Sequence, residues 1–168
     1  MLDCTEPLPS LKSPTVRVAQ ADDEQALYGC LLALEADNTF GLPRSDKRVW
    51  ETINTCCRMQ GGVAGVIDAP DGSIAASVGI VASQAAWYTD EWCLREIWLF
   101  VRPGHRRGTG YADRLVEFAL EHRLEMSRRI GRNILLLTGP NSRKRLRAKA
   151  AWWARWSNKV GENYVVGG

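Results

Sequence analysis

Two histidines and five cysteines are all that this 168-residue chain offers as imidazoles and thiols. The cysteines (Cys4, Cys30, Cys56, Cys57 and Cys93) are odd in number, and no two stand in C-x-x-C spacing. That argues against a disulfide framework and against a structural zinc site. It fits a reduced, cytoplasmic setting. Cys30 falls inside an apolar helical pattern and reads as a small buried hydrophobe. Neither histidine belongs to a Ser–His–Asp or metal-ligand arrangement. His105 reads as a turn or surface residue and His122 as a structural residue on a helix face. No apolar run approaches the ~20 residues of a membrane span. The start, Met1-Leu-Asp-Cys-Thr-Glu-Pro, lacks the basic and apolar regions of a secretory signal. No internal repeat, low-complexity tract or linker divides the chain. The expectation is a loose tail over 1–14, which holds three prolines, and a single domain over 15–168.

Charge is plentiful and unevenly spread. Residues 1–101 hold seven Lys+Arg against fourteen Asp+Glu, whereas residues 102–168 hold fifteen against five. Such asymmetry points to a polyanionic ligand at one end, either nucleic acid or a phosphorylated cofactor.

Residues 15–19 alternate apolar and polar residues as a short strand does. Asp22 or Asp23 is placed to cap the next helix. Its apolar positions Ala26, Leu27, Cys30, Leu31 and Leu34 follow helical spacing. Gly41 and Pro43 break the pattern, and Ser45 or Asp46 starts a second helix over about 47–59. Gly61-Gly62 is expected to end it. Two β-branched runs, 62–68 and 74–83, flank Pro70-Asp71-Gly72, a hairpin signal in which Pro fixes φ and Gly accepts positive φ. A third strand spans 94–101, and a helix runs from Gly110 to about Met126. The apolar run 133–138 reads as a central buried strand. A basic helix over 141–156 and a short strand over 163–166 complete the order. This is a mixed α+β or α/β pattern.

The segment joining the third strand to the next helix carries the chemistry. Glu96-Ile-Trp-Leu-Phe-Val101 is followed by Arg102-Pro-Gly-His-Arg-Arg-Gly-Thr-Gly110, and Tyr111-Ala-Asp opens the helix. Glycines in a strand-to-helix turn let the backbone approach a ligand closely. The helix N-terminus then offers unpaired N–H groups and a positive dipole end to an anion. Arg106 and Arg107 add charge for phosphate oxygens. No G-x-x-x-x-G-K-S/T is present, so this is not a P-loop. A complete G-x-G-x-x-G with its acidic partner is also missing, which argues against a Rossmann dinucleotide site.

The motif Gln/Arg-x-x-Gly-x-Gly/Ala after a strand ending Val-x-Pro resembles the acetyl-CoA signature of the GNAT superfamily of N-acyltransferases. It is met by Arg107-x-x-Gly110-x-Ala112 with Val101-x-Pro103 ahead of it. The resemblance covers about 15–157 and is tightest over 86–119, where it is similar to a phage-encoded subgroup. It implies a GNAT-like fold, a mixed, mostly antiparallel central sheet flanked by helices, and acetyl-CoA as cosubstrate. By that resemblance Leu99, Phe100 and Val101 would pair with the pantetheine arm as an added strand would. The amides of Arg106, Arg107, Gly108, Thr109, Gly110, Tyr111 and Ala112 would hold the pyrophosphate. Asn141 would contact the cofactor or an ordered water, or else cap a helix.

Acyl transfer to an amine needs a base, directly or through water. Glu96 stands where some relatives carry a catalytic glutamate; the plain alternative is a salt-bridged strand residue. The Val101 N–H would polarise the thioester carbonyl as an oxyanion donor does. The sequence departs from the pattern at Trp153, which stands where many relatives carry a tyrosine acid. Indole N–H is no acid at neutral pH. Tyr111, Tyr164 or water would then protonate the leaving thiolate, or catalysis is weak or absent. Trp152, Trp153 and Trp156 otherwise read as packing.

The acceptor, a small-molecule amine or a protein lysine or N-terminus, would meet Glu35, Asp37, Asp90 and Glu91. The basic run 143–149 reads as a helix raising the potential near the cofactor phosphates rather than as a nucleic-acid site. A homodimer is possible. The competing reading is an inactive GNAT-like module that binds acyl-CoA, a host protein or nucleic acid.

Overall fold

The computed structural model describes residues 14–38, 43–138 and 151–156. The order is β1 (Arg17–Val18), a 3-10 turn (Ala21–Asp23), α1 (Glu24–Asn38), α2 (Asp46–Cys57), β2 (Gly62–Asp68), β3 (Ile74–Gln84), β4 (Trp92–Val101), a second 3-10 turn (Pro103–His105), α3 (Tyr111–Ile130) and β5 (Leu135–Leu137). Residues 151–156 are helical. The sheet order is β1-β2-β3-β4-β5, antiparallel throughout except for the parallel pair β4–β5. This is the mixed, mostly antiparallel sheet expected of the sequence. Among the described residues no helix is long and apolar enough to cross a membrane.

The β2–β3 hairpin turns where Pro70-Asp71-Gly72 predicts. Gly72 takes a φ of +80°, its N–H donates to Ala69 O at 2.9 Å, and Ser73 N–H donates to the Asp71 carboxylate at 2.9 Å. Strand alternation then sends side chains to two cores. Val63, Ile67, Val78, Ile80, Leu94 and Val101 face α3, with Leu115, Val116, Ala119 and Trp153 packed over them. Ala64, Val66, Trp98 and Phe100 face α1 and α2, against Leu27, Cys30, Ile53 and Cys56. The sheet is therefore the middle of three layers.

Two local features differ from the sequence reading. α2 ends at Cys57, and the left-handed residue that closes it is Met59 (φ +53°), ahead of the Gly61-Gly62 pair. The apolar run 133–138 yields only a three-residue strand, which stands last in the order among the described residues. Burial comes from the layer above: Leu136 lies under α3, while Leu135 and Leu137 are half-buried. The expected strand 163–166 lies outside the described residues.

Candidate active site

β4 has two unlike edges. On one side its whole length pairs with β3, from Trp92 opposite Gln84 to Val101 opposite Ala76. On the other side β5 pairs only as far as Arg95, opposite Leu137. Among the described residues no strand takes up the edge from Trp98 to Val101. The register slips between Gly79 and Ile80: Gly79 faces Trp98 and Ile80 faces Glu96, so Ile97 is the extra residue of a bulge. Gly79 is required here, because a Cβ would lie 2.2 Å from the Trp98 ring. Beyond the bulge, Arg102 N–H donates to Ala75 O at 2.9 Å. Strict alternation in an antiparallel pair then turns the N–H and C=O of Leu99 and Val101 toward the open edge. An extended ligand can be added there as a strand would be.

The open edge leads into the glycine-rich turn. Gly108 (φ +69°) and Gly110 (φ +66°) are left-handed, and space around both is open. Gly110 precedes α3 without a side-chain cap. The N–H groups of Arg107, Gly108, Thr109, Gly110 and Ala112 have no hydrogen-bond acceptor among the described residues. Thr109 braces the turn: its hydroxyl donates to His105 O at 2.7 Å and lies 3.4 Å from Tyr111 N. Tyr111 stacks on His105, ring centroids 5.9 Å apart. A run of unpaired amides at the start of a 20-residue helix is an anion site with positive potential.

The two turn arginines differ. Arg107 is exposed and makes no ion pair or hydrogen bond. Arg106 folds back, its Nε donating to Val101 O at 2.8 Å and its guanidinium 5.6 Å from the Phe100 ring centroid. It occupies the Val101 carbonyl and leaves the Val101 N–H facing the gap.

Glu96 is buried, 6% exposed, on the α3 face beside Leu94, whereas Arg95 lies on the opposite face and is exposed. Trp153 is buried in the α3 core with Trp152 against it, 4.9 Å between ring centroids, which is a packing role. Asn141, Tyr164 and the basic run 143–149 lie outside the described residues. Of the acceptor-side acids, Glu35 is bridged to Arg44 at 3.0 Å, and Glu91 to Arg132 at 3.2 Å beside the C-terminal end of α3. The structure does not gather them into one cluster. Asp90 stays in the β3–β4 loop, and the Asp37 side chain is outside the described set.

Cysteine and histidine play structural parts. Burial pushes the Cys56 thiol up to about 12 and the Cys57 thiol to about 11, so neither supplies a thiolate. Burial holds His122 below its ordinary value, and its ring stacks near Phe118.

Three structural features near the turn and the strand edge escaped the sequence reading. The bulge at Ile97 has a faint signal in the pairing of a tryptophan with a glycine. Asp113, in the first turn of α3, accepts from Trp152 Nε1 at 3.0 Å and lies 3.5 Å from Arg155, so segment 151–156 braces the turn. Thr138, just past β5, is buried.

No family profile matches the sequence, and no curated protein matches it. Solved structures do. A possible acetyltransferase from Clostridium difficile 630 superposes with a TM-score of 0.63 at 15% identity, covering 92% of this chain and 95% of that one. An acetyltransferase of the GNAT family from Staphylococcus aureus Mu50 gives 0.60 at 14% identity, covering 84% and 82%. AAC(6')-Iy in complex with the bisubstrate analogue CoA-S-monomethyl-acetylneamine gives 0.59 at 12% identity, covering 92% and 93%. At these identities the likeness is one of architecture: this chain has the fold of the GNAT acetyltransferases.

Proposed function

We propose that this protein is an N-acetyltransferase that moves an acetyl group from acetyl-CoA directly to a primary amine. The observation that carries the reading is the continuity of two features. The edge of β4 at Leu99 and Val101, which no described strand covers, runs into the amides of Arg107, Gly108, Thr109, Gly110 and Ala112, which have no acceptor among the described residues. The first suits an extended amide-bearing arm, and the second suits the pyrophosphate at its end. The donor set fits the cosubstrate: five free N–H groups, two open glycine positions and the exposed Arg107.

Acetyl-CoA supplies the acyl group as a thioester. The chain's own groups do the rest. The Val101 N–H, facing the gap, donates to the carbonyl oxygen as negative charge develops there. Glu96 takes the proton that the acceptor ammonium must lose before its nitrogen can attack. A coenzyme A thiolate is a stable leaving group, so Trp153 in place of an acid does not stop the reaction.

Calorimetric titration with acetyl-CoA, followed by thiol-release assays over small amines and lysine peptides, tests this reading. Micromolar binding and thiol release on some acceptor are expected. Glu96→Gln is expected to cut kcat by about 100-fold or more. Binding without turnover on any acceptor would favour a non-catalytic acyl-CoA module. Absent binding would overturn both.

A further inference from the structure

Asp23 and Asp113 stand at the same position of two helical starts and behave differently. In the 3-10 turn that leads into α1, the Asp23 carboxylate reaches back and accepts from Gln20 N–H at 2.8 Å. It takes up an amide that the helical start leaves without a partner. α3 begins after Gly110, whose C=O accepts from Arg114 N–H at 3.1 Å, so Asp113 is likewise the third residue past the entry. Its carboxylate turns elsewhere. Trp152 Nε1 donates to Asp113 Oδ1 at 3.0 Å, and Arg155 Nη2 lies 3.5 Å from the same oxygen. The Gly110 N–H is left without an acceptor among the described residues. The indole is fixed in its turn, because Trp152 is half-buried against the α3 core, its ring centroid 4.9 Å from that of the buried Trp153.

We propose that Trp152 and Arg155 are positioning residues for the cosubstrate: they hold the Asp113 carboxylate against segment 151–156 and so keep the Gly110 amide open to a phosphate oxygen. This rests on the proposed acetyl-CoA site. A carboxylate in the first turn of a helix suits the helix dipole, but it competes with any other anion for the same amides. Released from the indole, Asp113 would turn back as Asp23 does. It would then occupy the Gly110 N–H and set a negative charge where the pyrophosphate has to lie. Both poses keep the carboxylate at the positive end of α3, and they differ in which donor it takes. An alanine at position 113 would also leave the amide open, without tying 151–156 to the turn. The aspartate is therefore no ligand of the cosubstrate, and its restraint is what serves binding.

Titration calorimetry on the wild type, Trp152→Phe, Asp113→Ala and the double variant tests this, with acetyl-CoA and separately with sodium pyrophosphate. Trp152→Phe keeps an aromatic ring and loses the N–H. It is expected to weaken the binding of both probes by about fivefold, the scale of a charge at a helix end, while kcat at saturating acetyl-CoA stays level. Asp113→Ala alone should bind both probes as the wild type does. In the double variant it should restore the affinity that the phenylalanine loses. Arg155→Gln, made at an exposed side chain, should weaken binding by about twofold. Asp113→Ala should reverse that loss too, so the test stands even if Trp152→Phe folds poorly. If Asp113→Ala by itself weakens binding as much as Trp152→Phe, the tie to 151–156 matters and the released acid does not, and the proposal is overturned. Unchanged affinity in both Trp152→Phe and Arg155→Gln overturns it as well. A wild type that binds pyrophosphate but not acetyl-CoA would sink the acyl-transfer reading, while the pyrophosphate series still decides the role of Trp152 and Arg155. Binding of neither probe would end both.

Discussion

Met59 N–H donates to Cys56 O at 3.4 Å and Gln60 N–H to Thr55 O at 3.0 Å, so α2 closes in a Schellman arrangement with a methionine at its left-handed position. α3 closes the same way, with Gly131 (φ +69°) in that position. A Cβ in the left-handed region clashes with the backbone, costing roughly 1–2 kcal/mol. Met59 is 60% exposed and so gains little packing in return. Met59→Gly is therefore expected to stabilise the protein by about 0.5–1 kcal/mol, the strain relieved less the extra chain entropy of glycine in the unfolded state. Urea denaturation reads this as a higher midpoint at constant slope. A lower midpoint would show that the methionine side chain contributes more than its exposure suggests.

β1 is only two residues long, and the Arg17 side chain ties it to its neighbours. Arg17 forks onto two carboxylates, Nη1 to Asp23 at 2.7 Å and Nε to Asp68 at 2.7 Å. The strand, the turn before α1 and the end of β2 thus share one guanidinium. Asp23 also accepts from Gln20 N–H at 2.8 Å. The Arg17 guanidinium, foremost, holds the Asp23 carboxyl below its ordinary value of 3.8. A carboxyl depressed in the folded state stabilises fully above its unfolded value and loses that stabilisation as pH falls through the folded value. Stability should therefore decline below about pH 4 in a way that Asp23→Asn flattens, measured as Tm against pH. A parallel decline in both proteins would remove Asp23 from the acid limb. Such a fork was illegible in the sequence, since Asp68 lies 51 positions from Arg17. What could be read was local: Pro70-Asp71-Gly72 fixes its own turn, and Gly108 and Gly110 announce left-handed backbone where β4 passes into α3. The bulge at Ile97 and the Trp152 bond to Asp113 depend on register or on packing between distant segments, and no short stretch encodes them.

The charge split legible in the sequence survives folding only in part. Arg114 pairs with Glu117, Arg129 with Glu125 and Arg132 with Glu91, so much of the described basic surface is locally neutralised. Exposed pairs of this kind contribute little to stability, but they also subtract from the field that a distant anion feels. Arg107 stands apart, exposed and unpaired beside the free amides of the turn. Its charge is therefore accessible on the approach of a polyphosphate ligand. Salt shortens the reach of such a charge, from a Debye length of about 10 Å at 0.1 M to about 3 Å at 1 M. KM for acetyl-CoA should consequently rise with sodium chloride, while kcat at saturation stays level, because the amides and the β4 edge act at hydrogen-bond range. Arg107→Ala should raise KM at low salt and make it nearly independent of salt. Steady-state kinetics across a salt series gives both slopes. Equal slopes in the two proteins would move the steering role away from Arg107 and onto other basic residues of the C-terminal half.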